Sequence, residues 1–248
     1  MTIRSFGGGL FGARVGAGTP RVLALHGWGR DHADLMAVLV GDDGISLDLP
    51  GFGASPAPDT AWGAEQYAAV VASVLPQMAP RIIVVGHSFG GRVAVKLARA
   101  HPGAVGGLVL VGVPLLRLGP VRRPSLRLRI ARALHRSHLL SDSRIESMRR
   151  RSGSVDYQAA TGVMRQVLVR AVNEEYAADL PLVTCAVELV WGADDEAVPA
   201  EVARRAAELL PRSALTLLPG VGHHVTLQDP AAIRAAIARI DDANVPWT

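Results

Sequence analysis

A single cysteine, Cys185, leaves this chain of 248 residues with no internal disulfide and no thiol pair for a redox CxxC or a cysteine-based zinc site. A reducing compartment suits such a chain, and cytoplasmic residence is expected. Lysine is almost missing: Lys96 is the one lysine among 26 basic residues. Long apolar runs are missing as well. The longest, residues 104–116, is broken by Gly106, Gly107, Gly112 and Pro114 and is too short to cross a bilayer, so no membrane span is expected. Residues 1–18 lack an apolar stretch behind a basic start, which argues against a cleaved secretory signal. The 26 glycines and 16 prolines follow no period, which excludes collagen-like and solenoid repeats.

What is present is apolar. Hydrophobic residues reach 49% against 19% charged, enough for a sizeable core and incompatible with a charge-extended, disordered chain. The length suits one α/β domain with a small insertion better than two equal domains. The net charge of +4 raises the question of nucleic acid, but its distribution answers it. Eleven arginines crowd residues 117–151 against only Asp142 and Glu146, and the rest of the chain is net acidic. Leu126, Leu128, Ile130 and Leu134 interleave with these arginines as on an amphipathic helix. A solvated helix face is the first reading of this segment. Attraction of an anionic substrate comes second, and contact with acidic lipid or nucleic acid third. No nucleic-acid partner is expected.

Short apolar runs alternate with segments of helical period, the pattern of a parallel sheet wrapped by crossover helices. Strands are expected at 21–25, 45–49, 82–86, 108–113, 187–191 and 214–218. Tyr67, Val70, Val71, Val74, Leu75 and Met78 mark the buried face of a helix that Pro76 bends or ends. In the last helix Asp229 caps, Pro230 takes the first position and Ile233, Ile237 and Ile240 form the inner stripe. From residue 117 to about 180 only helical patterns remain, such as Ala160, Val163, Met164, Val167, Leu168 and Ala171. This insertion falls between the fourth and fifth of these strands, above the sheet edge where open α/β folds bind ligands.

The chemistry concentrates in Gly86-His87-Ser88-Phe89-Gly90, a GxSxG between a strand and a helix. A serine on so sharp a turn adopts strained backbone angles, and glycines two positions away let strand and helix pass closely. The helix start then directs unpaired N–H groups at the atom that will carry negative charge. A serine hydroxyl is a poor nucleophile unless a base reaches it and a carboxylate orients that base. Two later loops offer both. The strand at 187–191 runs into Gly192-Ala193-Asp194-Asp195-Glu196, and the next strand into Gly220-Val221-Gly222-His223-His224. The order serine, acid, histidine differs from the chymotrypsin and subtilisin orders.

With His26-Gly27-Trp28-Gly29 after the first of these strands and Asp48-Leu49-Pro50-Gly51-Phe52-Gly53 after the second, the chain resembles an α/β-hydrolase-fold protein over nearly its whole length. The resemblance implies a mostly parallel central sheet with helices on both faces, a core of residues 1–116 and 181–248, and a short helical lid at 117–180. It selects Asp195 over Asp194 and His223 over His224 as partners of Ser88. It also implies an oxyanion hole from the backbone N–H groups of Trp28 and Phe89, each worth about 3 kcal/mol of barrier in such sites. The side chains of Trp28 and Phe89 are expected to line the substrate pocket. A serine nucleophile disfavours the haloalkane dehalogenase and epoxide hydrolase reactions, whose enzymes use aspartate there. Glu188 departs from the pattern: it interrupts an aliphatic strand, where a buried carboxylate needs an arginine partner or the sheet margin.

Other histidines receive plainer readings. His26 and His87 beside tight turns are expected to order loops, and His135 with His138 lacks the carboxylates of a metal site. Cys185 is read as a small buried residue. Neither metal nor cofactor is expected. The expected activity is a carboxylesterase-like serine hydrolase acting on a small ester or thioester. C–C bond hydrolysis or a lyase step on the same triad is the alternative, as is a triad-bearing binding or signalling protein with negligible turnover.

Overall fold

The computed structural model of the chain describes residues 2–119 and 155–243. The arginine-dense stretch from 120 onward, with His135 and His138, lies outside the described residues. Eight strands are described: β1 (Arg4–Gly7), β2 (Leu10–Val15), β3 (Val22–Leu25), β4 (Gly44–Asp48), β5 (Ile82–His87), β6 (Val105–Val111), β7 (Ala186–Gly192) and β8 (Ser213–Leu218). Helices follow as α1 (Ala64–Val71), α2 (Phe89–Ala100), α3 (Val155–Ala159), α4 (Gly162–Asn173), α5 (Ala200–Leu209), α6 (Val225–Gln228) and α7 (Pro230–Ala243).

The strands form one sheet in the order β1-β2-β4-β3-β5-β6-β7-β8. The β1–β2 and β2–β4 pairs are antiparallel and every later pair is parallel. Side chains alternate across this sheet with a period of two. Leu23, Leu25, Val84, Leu108, Leu110 and Leu189 point to one face, against α1, α2 and α5. Val22, Ala24, Val85, Val109, Val111 and Val190 point to the other, against Ile233, Ile237 and Ile240 of α7. Both faces of the central strands are therefore dry, which is why those strands read as unbroken apolar runs. Each fully buried isoleucine of α7 contributes about 1.5–3 kcal/mol to its docking.

The helix ends follow local chemistry. Asp229 Oδ1 accepts the Ala232 N–H at 3.0 Å, capping α7 ahead of Pro230. After Val71 the backbone of α1 tightens into a 3-10 turn, Ala72–Gln77, that contains Pro76. Proline lacks the N–H that a continued α-helix would require at that point. Glu188, on β7, faces the α7 side, and its Oε2 accepts two N–H groups of Arg239 at 2.7 and 3.0 Å. The carboxylate that interrupts the aliphatic strand is thus neutralised from the helix packed over it.

Of the stretch between β6 and β7, residues 155–182 form α3, α4 and a short 3-10 turn, with no strand among the described residues. α4 buries Val167, Leu168 and Ala171 toward the core. Arg170 donates to Ala61 O at 3.0 Å, and Glu174, just past α4, accepts the Ala64 N–H at the start of α1 at 3.0 Å.

Candidate active site

Ser88 is the one non-glycine residue with positive φ among the described residues, at φ 49° and ψ −110°. Such angles cost about 1–3 kcal/mol and persist because the surroundings impose them. Its N–H is fixed by Val111 O on β6 at 2.9 Å, and its C=O accepts from Gly91 at 3.1 Å. The flanking glycines are required by contact. A Cβ on Gly86 would sit 2.5 Å from Gly91 Cα, and one on Gly90 would collide with Leu25 O. β5 and α2 thus cross too closely for side chains, and the serine is lifted into the cavity at the carboxyl end of the sheet.

Asp195 follows β7 and is buried, whereas Asp194 is exposed. Asp195 Oδ1 accepts the N–H groups of Ala197 at 2.9 Å and Val198 at 2.8 Å, which leaves Oδ2 to meet His223 Nδ1 at 2.8 Å. With Nδ1–H donating to that carboxylate, Nε2 of His223 is left as an acceptor. His224 is exposed and makes no such contact. Ser88 and His223 line one cavity of about 410 Å³, and no hydrogen bond to the Ser88 hydroxyl is formed among the described residues. Catalytic hydrogen bonds of this kind often close only around substrate.

The N–H groups of Trp28 and Phe89 take no backbone partner among the described residues. Trp28 and Phe89 also line the cavity, and their rings meet edge to face with centroids 5.4 Å apart. Phe52 and Tyr67 extend this aromatic cluster. Leu168, Ala171 and Val172 of α4 form the opposite wall.

Two histidines tie the surrounding loops together. His26 Nδ1–H donates to Gly27 O at 2.7 Å, while its Nε2 accepts the Leu49 N–H at 2.9 Å. Burial lowers its pKa. His87 Nε2–H donates to the His223 carbonyl at 3.0 Å, joining the serine turn to the histidine loop. Burial, then repulsion from His223, pushes the His87 pKa down to about 4, so it stays neutral near pH 7. Its Nδ1 is buried without a partner.

Asp31, His32 and Asp48 have ligand atoms close enough to hold a metal. Their bonds are internal to the loops: Asp48 accepts the His32 N–H at 2.8 Å, His32 Nδ1–H at 2.7 Å and the Ala54 N–H at 2.9 Å. Burial alone would raise the Asp48 pKa, but these donors outweigh it and hold the carboxyl below its usual range. Arg92 escapes a motif reading because it lies outside the GxSxG, yet it lines the cavity one helical turn past Ser88. The available signal is a lone charge inside the otherwise apolar face Val93, Ala94 and Leu97.

Sheet, serine turn and loop order together define an enzyme of the α/β hydrolase fold, and the chain belongs to the alpha/beta hydrolase family, whose model matches residues 22–236. Among its relatives is an esterase of Mycobacterium tuberculosis, 39% identical over 110 residues, a match spanning 43% of this chain and 37% of the esterase. A 2-hydroxy-6-oxononadienedioate/2-hydroxy-6-oxononatrienedioate hydrolase of Cupriavidus pinatubonensis is 26% identical, with 84% of this chain and 82% of that protein covered. In structure, the chain superposes on a thermophilic esterase of Thermogutta terrifontis with a TM-score of 0.68 at 21% identity, covering 94% and 93% of the two chains. It likewise matches a meta-cleavage product hydrolase of Pseudomonas fluorescens with a TM-score of 0.69 at 20% identity, covering 96% of each. No helix among the described residues is long and apolar enough to cross a membrane.

Proposed function

We propose that the chain is a serine hydrolase that cleaves a small ester or thioester through an acyl-enzyme. The observation that carries this reading is the 2.8 Å contact between Asp195 Oδ2 and His223 Nδ1 beside the strained Ser88, with Ser88 and His223 opening on one cavity. His223 Nε2 takes the Ser88 proton as Oγ bonds to the substrate carbonyl carbon. The N–H groups of Trp28 and Phe89 receive the developing oxyanion, and the alkoxide or thiolate departs with the proton from His223. Water, deprotonated by the same imidazole, then breaks the acyl–Oγ bond and releases the acid. Asp195 holds the ring and stabilises the imidazolium. The described helices of the expected lid at 117–180, α3 and α4, cover a cytoplasmic, small-molecule site, a reading supported by the α4 wall of the cavity.

A fluorophosphonate probe tests this directly. It labels the wild type at Ser88 and leaves Ser88→Ala unlabelled, and ester turnover falls on the order of 10³-fold or more in that variant. Turnover retained by Ser88→Ala would end the serine mechanism. Labelling without turnover of any ester or thioester would instead favour a binding or signalling role.

The dienedioate hydrolase relative favours C–C bond hydrolysis as a second reading. Loss of the dienoate chromophore on incubation, faster than any ester is cleaved, would select it.

A further inference from the structure

Arg92 is a buried cation in the wall of the cavity, 7% exposed, with neutral partners. Its Nε–H and one Nη2–H converge on Pro114 O at 3.1 and 2.9 Å, and Nη1–H reaches Ala171 O on α4. The Tyr176 ring lies 5.7 Å from the guanidinium carbon. Among the described residues no carboxylate pairs with it. Glu174 is committed to the Ala64 N–H and the Tyr176 hydroxyl, at 3.0 and 2.7 Å, and the cavity's Asp156 is exposed. The other arginine lining the cavity, Arg30, is chelated by both oxygens of Asp34. Burial lowers the Arg92 pKa and outweighs the attraction of Tyr176 and of Glu174, neither of which bonds the guanidinium directly.

Two carbonyls fix the guanidinium plane, and three of its five N–H groups are used. One N–H remains on each terminal nitrogen, enough for the two oxygens of a carboxylate. Arg92 lies four positions after Ser88, about 6 Å along the helix axis, and helix side chains lean toward the N-terminus, back toward the serine. A carboxylate a few bonds from the carbonyl under attack would meet this guanidinium and supply the directly bonded anion that no described residue provides. Buried charges favour such pairing strongly over isolation.

We infer that Arg92 is a specificity-determining residue that selects a carboxylate-bearing acyl group, so that the substrate is a half-ester or half-thioester of a short dicarboxylic acid. This assignment rests on the serine-hydrolase reading of the same cavity. The acyl half carries the charge, and the bond that breaks is still the ester bond at Ser88.

The test compares an aryl half-ester of glutaric acid with the aryl ester of pentanoic acid, which lacks the terminal carboxylate. Wild type cleaves the glutarate ester with the higher kcat/KM, and free glutarate, but not pentane-1,5-diol, competes for the site. In Arg92→Gln the ratio of kcat/KM values, charged over neutral, falls about tenfold or more, and Arg92→Lys restores part of it. Should Arg92→Gln fail to fold, the wild-type preference and the glutarate competition still decide. A wild type that prefers the pentanoate ester, or a ratio unchanged in Arg92→Gln, overturns the assignment. Ser88→Ala run beside them separates the two levels. Both esters cleaved normally by that variant would remove the underlying mechanism, whereas loss of both with no charge preference in wild type removes only the role of Arg92.

Discussion

At the scale of single residues, adjacent identical side chains meet different fates. Asp194 and Asp195 share a loop, but only Asp195 is turned inward, where two amides hold one oxygen and His223 takes the other. Converting it to Asn keeps the shape but presents an N–H or a neutral oxygen to Nδ1, favouring the wrong tautomer of the ring. Asp195→Asn should lower kcat on the order of 10³- to 10⁴-fold, while Asp194→Asn changes it little. Steady-state kinetics on the two variants checks this, and equal losses would count against Asp195 as the orienting acid. Motif spacing alone left both acids open, as it did His223 and His224; the family resemblance picked one of each. No periodicity conveys which of two neighbours a loop turns inward, because that depends on amides contributed two and three positions later.

At the scale of elements, the central parallel strands β3, β5 and β6 were legible because both of their faces are buried and their apolar runs are nearly continuous. The N-terminal hairpin was not. In β1 and β2 only part of each strand is buried, and the link runs through Gly7, Gly8 and Gly9, which carry no side chains to show alternation. The partner of Glu188 was also out of reach, since it lies 51 positions later on α7. That pairing has a measurable cost when broken. Arg239→Ala leaves a carboxylate with a 10% exposed side chain facing the helix without its donors, and should destabilise the fold by about 1–3 kcal/mol. Glu188→Gln should cost less, because its amide is neutral. Urea denaturation midpoints of the two variants provide the comparison, and the reverse order would contradict the account.

At the scale of the whole molecule, the buried histidines couple stability to pH. His87 titrates near 6.5 when unfolded and at about 4 when folded, so between those values the unfolded chain binds more protons. Stability is therefore complete above the unfolded value and declines as pH falls toward the folded one, by about 3 kcal/mol from this residue. His26, also lowered by burial, acts in the same direction. Unfolding midpoints followed from about pH 7 to about pH 4 should drop, and more shallowly in His87→Asn. An identical slope in that variant would mean that other groups set the acid limit.

The two proposed oxyanion donors stand just beyond β3 and β5, neighbouring strands paired in register from Val22 with Ile83 to Leu25 with Gly86. Their separation is thus governed by the ladder between two backbones and owes nothing to the rotamers of Trp28 or Phe89. Those rings can be exchanged to reshape what the pocket admits while the polar cradle keeps its dimensions. A scaffold wired in this way is free to change customers without rebuilding its workbench.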